Sequence, residues 1–279
     1  MRIKICGITN VDDARLCAEA GADALGFIFV PDTPRCVTAE TAARIIAALP
    51  PFVTPVGVFW DHAPAQVKAV AEECRLGALQ FHGDEAPEDL LEHRLPVIKT
   101  LKVAGSADLA RMADYRVAAF LLDSPSRWSE GESRPPIPWD VAAAAARRHP
   151  VLLSAGLTPD NVSLAVRRVR PYGVDVNSGV EARPGRKDPV RVRRFVTEAR
   201  AAAEQPCAGP ACGPPHCRTR AGTSVASAAA SCPRPSCSRW SISRRPTGPR
   251  AATHASAGAC ASCSRPTRAG PPRSTSRSA

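Results

Sequence analysis

Short apolar runs alternate with helix-like stretches along the first 205 residues of the chain. The helix-like stretches carry a 3.6-residue apolar stripe, a capping residue or a Pro at the first turn. Residues 38–49, for example, place Ala42, Ile45 and Leu49 on one face before two prolines end the stretch. The predicted strands are residues 2–6, 24–29, 53–60, 78–81, 97–103, 118–122, 151–154 and 174–177. The predicted helices are residues 11–20, 38–49, 64–75, a short one from Pro87, 106–115, 138–149, 159–169 and 189–203.

The strands read as continuous apolar runs rather than as alternating ones. That pattern is typical of parallel strands buried on both faces. Eight strand–helix pairs in this length predict an α/β fold, specifically a (β/α)8 TIM barrel. A doubly wound open sheet is the alternative. It usually carries a G-x-G-x-x-G turn after its first strand, where this chain has C-G-I-T-N.

The net charge of +11 is confined to the C-terminal part of the chain. Residues 206–279 hold 11 of the 37 basic residues, all Arg, and none of the 26 acidic ones, which leaves 26 of each sign in residues 1–205. The same tail has few strongly apolar residues besides Val225, Trp240 and Ile242. It cannot bury enough surface to offset the entropy of folding. We therefore predict a barrel domain over residues 1–205 and a low-complexity, disordered tail over residues 206–279.

Cysteine spacing and hydropathy indicate the cellular compartment of the protein. Residues 1–205 contain four widely spaced cysteines and no C-x-x-C pair, so a disulfide framework is not expected and a reducing compartment fits. The chain enters a predicted strand at once, without a signal peptide, and no apolar run has the length of a membrane span. We expect a cytoplasmic protein that binds neither membranes nor a specific nucleic acid. The tail's C-x-x-C at Cys260 lacks the paired ligands of a zinc module, so no metal is expected.

Polar side chains at the strand ends are the candidates for chemistry, because a barrel builds its active site there. Cys6 ends the first strand and, as a thiolate, could take a proton from carbon. Asp123 ends the sixth and, if desolvated, could donate one. Lys4 and Lys99 are weaker candidates. Gly156 and Gly179 follow the last two strands, where barrels often bind phosphate at a helix N-terminus.

Eight short sequence pieces, spread over nearly all of residues 2–200, form an ordered set. The pieces are K-I-C-G-I-T at 4–9, G-F-I-F-V-P-D-T-P-R at 26–35, V-G-V-F at 56–59, Q-F-H-G at 80–83, L-L-D at 121–123, L-S-A-G-L-T-P-D-N-V at 153–162, V-D-V-N-S-G-V-E at 174–181 and P-G-R-K-D at 184–188. Their order and spacing are similar to those of the phosphoribosylanthranilate isomerase family of tryptophan biosynthesis.

The resemblance implies a (β/α)8 barrel that carries out an Amadori rearrangement of N-(5-phosphoribosyl)anthranilate with no cofactor. Asp123 then matches the general acid that opens the ribose ring, and Cys6 the general base at C2. Arg35 matches the residue that holds the anthranilate carboxylate. The phosphate loops correspond to Ala155, Gly156, Asn177, Ser178 and Gly179. Gln80 and His82 either line the pocket or fill a barrel layer, and Asp175 either binds substrate or is structural.

The chain departs from the family pattern in a glycine loop. Where the family has G-G-[ST]-G, this sequence reads Gly131-Glu132-Ser133-Arg134. A barrel that binds a phosphorylated ligand without converting it is therefore one alternative. A bifunctional isomerase of the histidine and tryptophan pathways is another, although it typically has Asp where this chain has Cys6. A phosphorylated aminosugar is the expected partner, with the protein a monomer or homodimer.

Overall fold

Eight parallel strands close into a barrel in the computed structural model, which describes residues 1–125 and 137–205. Each strand pairs with its sequence neighbours, and β1 pairs with β8 to close the ring. The predicted (β/α)8 barrel is thus confirmed. The strands are β1 (Arg2–Ile5), β2 (Ala24–Ile28), β3 (Thr54–Phe59), β4 (Ala78–Phe81), β5 (Val97–Lys102), β6 (Ala119–Asp123), β7 (Val151–Leu153) and β8 (Gly173–Val176).

Seven α-helices surround the barrel in the described part of the chain. They are α1 (Val11–Glu19), α2 (Ala39–Ile46), α3 (Pro64–Cys74), α4 (Pro87–Leu91), α5 (Trp139–Ala146), α6 (Val162–Val169) and α7 (Pro189–Glu204). Capping side chains determine where several of these helices begin. The Asn10 side chain accepts a hydrogen bond from the Asp13 N–H at 2.9 Å, and the Thr38 hydroxyl accepts one from the Thr41 N–H.

Two elements differ from the sequence prediction. The segment expected as a helix over residues 106–115 is a 3₁₀ helix, Ser106–Asp114, which buries only Met112. With so little apolar surface to pack, the regular α-helix has no advantage over the tighter turn. A hairpin of β9 (Glu181–Arg183) and β10 (Arg186–Lys187) follows β8 and was not predicted.

Side chains divide between the inside and the outside of the barrel because successive residues of a strand face opposite sides. The inside holds a small apolar cluster of Val56, Ala78, Ile98, Ala119, Leu121 and Leu152. The larger cluster lies between strands and helices and includes Phe27, Phe81, Phe120 and Phe195. Apolar side chains thus fill this part of the barrel interior, and a barrel builds its ligand site at the rim formed by the carboxyl ends of the strands. No described helix has the length and apolarity to cross a membrane.

Candidate active site

Cys6 is the first residue after β1 and lies at the carboxyl-terminal rim of the barrel. Its side chain is buried, and its backbone N–H donates to the Val176 carbonyl at 2.8 Å. Gly7 follows with a φ of +75°, a left-handed turn that only glycine adopts without strain. Burial raises the pKa of the Cys6 thiol, against the opposing charges of Lys4 and Lys187. Formation of the Cys6 thiolate therefore depends on the positive charges of Lys4 and Lys187.

Asp123 ends β6 and is 3% exposed. Its Oδ1 accepts a hydrogen bond from the Ser124 N–H at 2.9 Å, and its Oδ2 lies 3.5 Å from His82 Nε2. The His82 ring stacks on Trp60 with the centroids 5.2 Å apart. A largely desolvated carboxylic acid with one side facing an imidazole is suited to proton transfer.

Arg35 makes a bidentate ion pair with a carboxylate that the sequence reasoning gave no role. Its Nε donates to both oxygens of Glu181, at 2.9 and 3.1 Å, and its second guanidinium nitrogen donates to the same group. Lys187 Nζ reaches Glu181 Oε1 at 3.0 Å. Burial opposes ionisation of Glu181, but Arg35 and Lys187 outweigh it and hold its pKa below the ordinary value. The pair fixes the plane of the guanidinium.

Asp175 lies on β8 directly opposite Lys4 of β1. Lys4 Nζ donates to Asp175 Oδ1 at 2.8 Å, and both side chains are buried. Asp175, a candidate for substrate binding, is thus already engaged by a lysine inside the barrel.

Gln80 points into the barrel from β4 and donates to the Thr100 hydroxyl at 3.2 Å. Its Oε1 finds no hydrogen-bond partner within the described residues although the atom is buried. A buried amide oxygen without a donor is costly. Gln80 therefore has acceptor capacity facing the interior.

The loops after β7 and β8 meet backbone against backbone. Ala155 and Gly156 both have a φ of +64°. A methyl group on Gly179 would overlap the carbonyl oxygen of Leu157, so the second loop lies directly on the first. Ala155 holds a conformation that glycine adopts at lower cost. This contact brings together the predicted phosphate-binding residues of the two loops.

Asn177 and Ser178 complete the predicted phosphate set at the start of the second loop. Ser178 begins a 3₁₀ turn, Ser178–Val180. The Asn177 side-chain oxygen accepts from Lys187 Nζ at 3.1 Å, and its carbonyl accepts from the same group at 3.2 Å. Asn177 is thus tied to the β9–β10 hairpin through its side chain.

Sequence reasoning missed the contacts of Glu181 and Lys187 with Arg35 and Asn177, and it ranked Lys4 as a weaker candidate. Glu181 ends the motif V-D-V-N-S-G-V-E, and Lys187 lies in the motif P-G-R-K-D. A charged residue within an apolar or glycine-rich motif was the signal that could have identified each of them. Lys99 is not part of this group, since it binds the Gly83 carbonyl and Glu85. The altered loop with Glu132 and Arg134 lies outside the described residues. Residues 1–125 and 137–205 contain no cluster of side chains suited to a metal ion.

A closed eight-stranded parallel barrel with titratable side chains gathered at its carboxyl-terminal rim defines a (β/α)8-barrel enzyme. The family model for N-(5'-phosphoribosyl)anthranilate isomerase matches residues 3–198. The N-(5'-phosphoribosyl)anthranilate isomerase of Geobacter sulfurreducens is 52% identical over 202 residues, which cover 72% of this chain and 98% of that protein. The chain belongs to the N-(5'-phosphoribosyl)anthranilate isomerase family.

Solved structures agree with this assignment. The crystal structure of phosphoribosyl anthranilate isomerase from Thermotoga maritima superposes with a TM-score of 0.68 at 41% identity, covering 72% of this chain and 99% of that one. A second structure of the enzyme, 40% identical with a TM-score of 0.66 and similar coverage, 72% and 99%, is a complex with reduced 1-(o-carboxyphenylamino)-1-deoxyribulose 5-phosphate.

Proposed function

We propose that this protein isomerises N-(5'-phosphoribosyl)anthranilate to 1-(2-carboxyphenylamino)-1-deoxyribulose 5-phosphate in tryptophan biosynthesis, with Cys6 as general base and Asp123 as general acid. The observation that carries the proposal is membership of the isomerase family over residues 3–198, with a thiol and a carboxyl at two strand ends of one rim. No cofactor is needed, because the reaction only moves protons and electron pairs within the substrate.

Ring opening is the first step, and Asp123 is its acid. The protonated carboxyl gives its proton to the ribose ring oxygen as the bond from C1 to that oxygen breaks. The nitrogen lone pair then forms a C1=N double bond, which leaves a cationic Schiff base. The step requires Asp123 in its protonated form, and the side chain that supplies the proton is 3% exposed.

Proton removal from C2 is the second step, and Cys6 is its base. The Schiff base withdraws electrons and acidifies the neighbouring C2–H. The Cys6 thiolate accepts that proton, the electron pair of the C–H bond forms a C1=C2 double bond, and the C1=N electron pair returns to nitrogen, which leaves an enol. The enol becomes the aminoketose when its C2 hydroxyl loses a proton and C1 gains one. Over the whole cycle Asp123 regains the proton that it gave and Cys6 loses the proton that it took, so one acid and one base suffice.

The two anionic ends of the substrate orient it over the acid Asp123 and the base Cys6. Arg35, held in place by Glu181, is the group for the anthranilate carboxylate. Backbone N–H groups of Gly156, Ser178 and Gly179, with Ala155 and Asn177 beside them, are the groups for the phosphate. Gln80, His82 and Asp175 are the remaining candidate contacts with the sugar.

The roles of Cys6 and Asp123 are tested by conservative replacements. Cys6→Ser and Asp123→Asn should each lower kcat by about 10²- to 10⁴-fold, the usual contribution of general acid–base catalysis. Circular dichroism and thermal unfolding should match the parent protein, because both replacements preserve shape. Parental kcat in either variant would reject the role assigned to that residue.

Growth of a tryptophan auxotroph that lacks this isomerase tests the activity as a whole. The full chain should restore growth without tryptophan, and the Cys6→Ser variant should not. Failure of the full chain, expressed and folded, would favour the barrel that binds without converting its ligand.

The proposal extends to the oligomeric state and the cellular location of the protein. We expect a monomer or a homodimer, which light scattering distinguishes. We also propose a cytoplasmic location, since Cys6, Cys17, Cys36 and Cys74 are all free thiols, as suits a reducing compartment.

A further inference from the structure

Lys4 lies one layer below Cys6 on the same face of the first strand. Residues two apart on a strand point to the same side, so both side chains enter the barrel. Lys4 is 2% exposed, and the register of β1 with β8 places it opposite Asp175. Its Nζ donates to Asp175 Oδ1 at 2.8 Å. The barrel thus holds a buried ion pair directly beneath the thiol.

Gly26 of β2 provides the space in which the thiol and the ammonium group meet. A methyl group at this glycine would lie 2.7 Å from Cys6 Sγ and 3.1 Å from Lys4 Nζ. Both atoms therefore border the same small volume beside β2. At this separation the charge of the Lys4 ammonium group acts directly on the Cys6 thiol. Any larger residue at position 26 would push them apart.

The other fully buried lysine of the barrel strands has a different arrangement. Lys99 donates to the Gly83 carbonyl and to Glu85, and lies 5.6 Å from the centre of the Tyr115 ring. Its contacts hold the segment after β4 and include no group assigned to catalysis. Lys4 instead pairs with a carboxylate and lies beside the proposed base.

A cation inside a barrel is costly unless it is paired, and apolar side chains fill the rest of this interior. Asp175 offsets part of that cost. Burial lowers the pKa of the Lys4 amine, but the charges of Asp175 and Cys6 more than compensate, and the net pKa is raised. Lys4 is therefore an ammonium ion throughout the neutral range.

We infer that Lys4 is a positioning residue for catalysis, whose ammonium group holds and stabilises the Cys6 thiolate while Asp175 keeps that ammonium group charged and in place. The inference rests on the proposed role of Cys6 as the base. It assigns Asp175 a function through Lys4, in addition to any contact with the substrate.

The charges around the thiol support this assignment. Of the groups that act on Cys6, Lys4 opposes the effect of burial most strongly, Lys187 does so more weakly, and Asp175 acts in the other direction. Lys187 is itself paired with Glu181 at 3.0 Å, and its charge acts on Cys17 as well as on Cys6. The titratable and charged groups that face the pair formed by Cys6 and Lys4 are Asp175 from β8 and Lys187 from the β9–β10 hairpin.

The test measures titration of Cys6 in the free enzyme, without turnover. Thiolate absorbance near 240 nm is recorded against pH for the full chain and for its Cys6→Ser variant, and the difference isolates Cys6. The same difference is measured in a Lys4→Met background. Loss of the ammonium group should raise the pKa of Cys6 by about one unit or more, since one unit is a tenfold change in the thiolate equilibrium.

Kinetics give the second readout. At neutral pH, kcat of Lys4→Met should fall at least about tenfold, in step with the thiolate fraction, and should recover as the pH is raised. Lys4→Arg should restore much of the activity, because it keeps the charge. Lys99→Met, an equally buried lysine with no contact to Cys6, is the matched control and should leave both the Cys6 titration and the rising limb of the pH profile unchanged. An unchanged Cys6 titration in folded Lys4→Met would overturn the inference.

A measurement without a Lys4 replacement covers the case in which Lys4→Met does not fold. The ¹⁵Nζ resonance of Lys4 in the full chain should shift as Cys6 titrates, and should lose that shift in Cys6→Ser. A Lys4 resonance that does not respond to Cys6 would also overturn the inference. Because neither titration depends on turnover, failure here is distinct from failure of Cys6 as the base, which the activity of Cys6→Ser decides.

Discussion

Glu181 pairs with two buried cations at the rim, and its negative charge offsets the free-energy cost of burying them. Arg35 and Lys187 both contact it, and all three side chains are at most 9% exposed. Removing one member of a buried ion network leaves the others unpaired in a medium that solvates them poorly. The Arg35 guanidinium, which we propose binds the anthranilate carboxylate, thus depends on the Glu181 carboxylate.

Glu181→Gln should therefore lower the free energy of unfolding by about 3–5 kcal/mol near neutral pH. The pKa of Glu181 is held below its ordinary 4.5, so its contribution is present above that pH and is lost as the pH falls through the native pKa. The difference between Glu181→Gln and the parent should shrink below that pH in urea unfolding. Asp160→Asn breaks an exposed pair with Arg194 and should cost less than about 1 kcal/mol. Equal stability of the two variants would refute the argument.

The sequence pointed to Cys6 and Asp123 because each follows an apolar strand, and a barrel places such residues at one rim. It could not assign roles to Lys4 or Glu181. The Lys4–Asp175 pair depends on the register between the first and last strands, and Arg35 and Glu181 are 146 residues apart. Contacts of that kind follow from the closure of the barrel and leave no local pattern.

The contact between the loops after β7 and β8 makes the proposed phosphate pocket one structural unit. Gly179→Ala would overlap the Leu157 carbonyl and force the loops apart. Overpacking of this kind costs about 1–3 kcal/mol in stability. Loss of one charge-assisted hydrogen bond to phosphate, about 1.5–3 kcal/mol, should also lower kcat/KM by about tenfold or more. Inhibition by inorganic phosphate should weaken in parallel.

Gly105→Ala is the control for that prediction. A methyl group there meets no atom within 4 Å, so stability should stay within about 0.5 kcal/mol and kinetics should not change. If Gly179→Ala behaved like Gly105→Ala, the two loops would not be coupled through this contact.

The elements themselves were largely predictable because parallel strands buried on both faces appear as apolar runs. The segment from Ser106 was misread since a capping residue and a few apolar positions suggest an α-helix, whereas tertiary packing buries only Met112. The β9–β10 hairpin is short and polar, so hydrophobic periodicity could not reveal it. Its Pro184-Gly185 turn, with Gly185 at a φ of +76°, was the available signal.

The last packed helix of the molecule shows how much of the chain the enzyme needs. Helix α7 ends at Glu204 and packs on the barrel through Val192, Phe195, Val196, Ala199 and Ala202. The Geobacter sulfurreducens relative is matched over 98% of its length by 202 residues of this chain. We therefore propose that residues 1–205 form the complete catalytic unit, and that the positive net charge, which belongs to residues 206–279, has no part in the reaction.

A chain that stops after Gln205 should fold and keep kcat/KM within about twofold of the full protein, since truncation is tolerated where no packed element is lost. Its isoelectric point should fall from about 9.5 to near neutrality, because residues 1–205 hold 26 basic and 26 acidic residues. A chain that stops after Asp188 is the control. It removes α7 and exposes the apolar surface that this helix covers, so it should aggregate or unfold. Loss of activity in the longer truncated chain would show that the tail contributes to the enzyme, and that the unit is larger than the barrel.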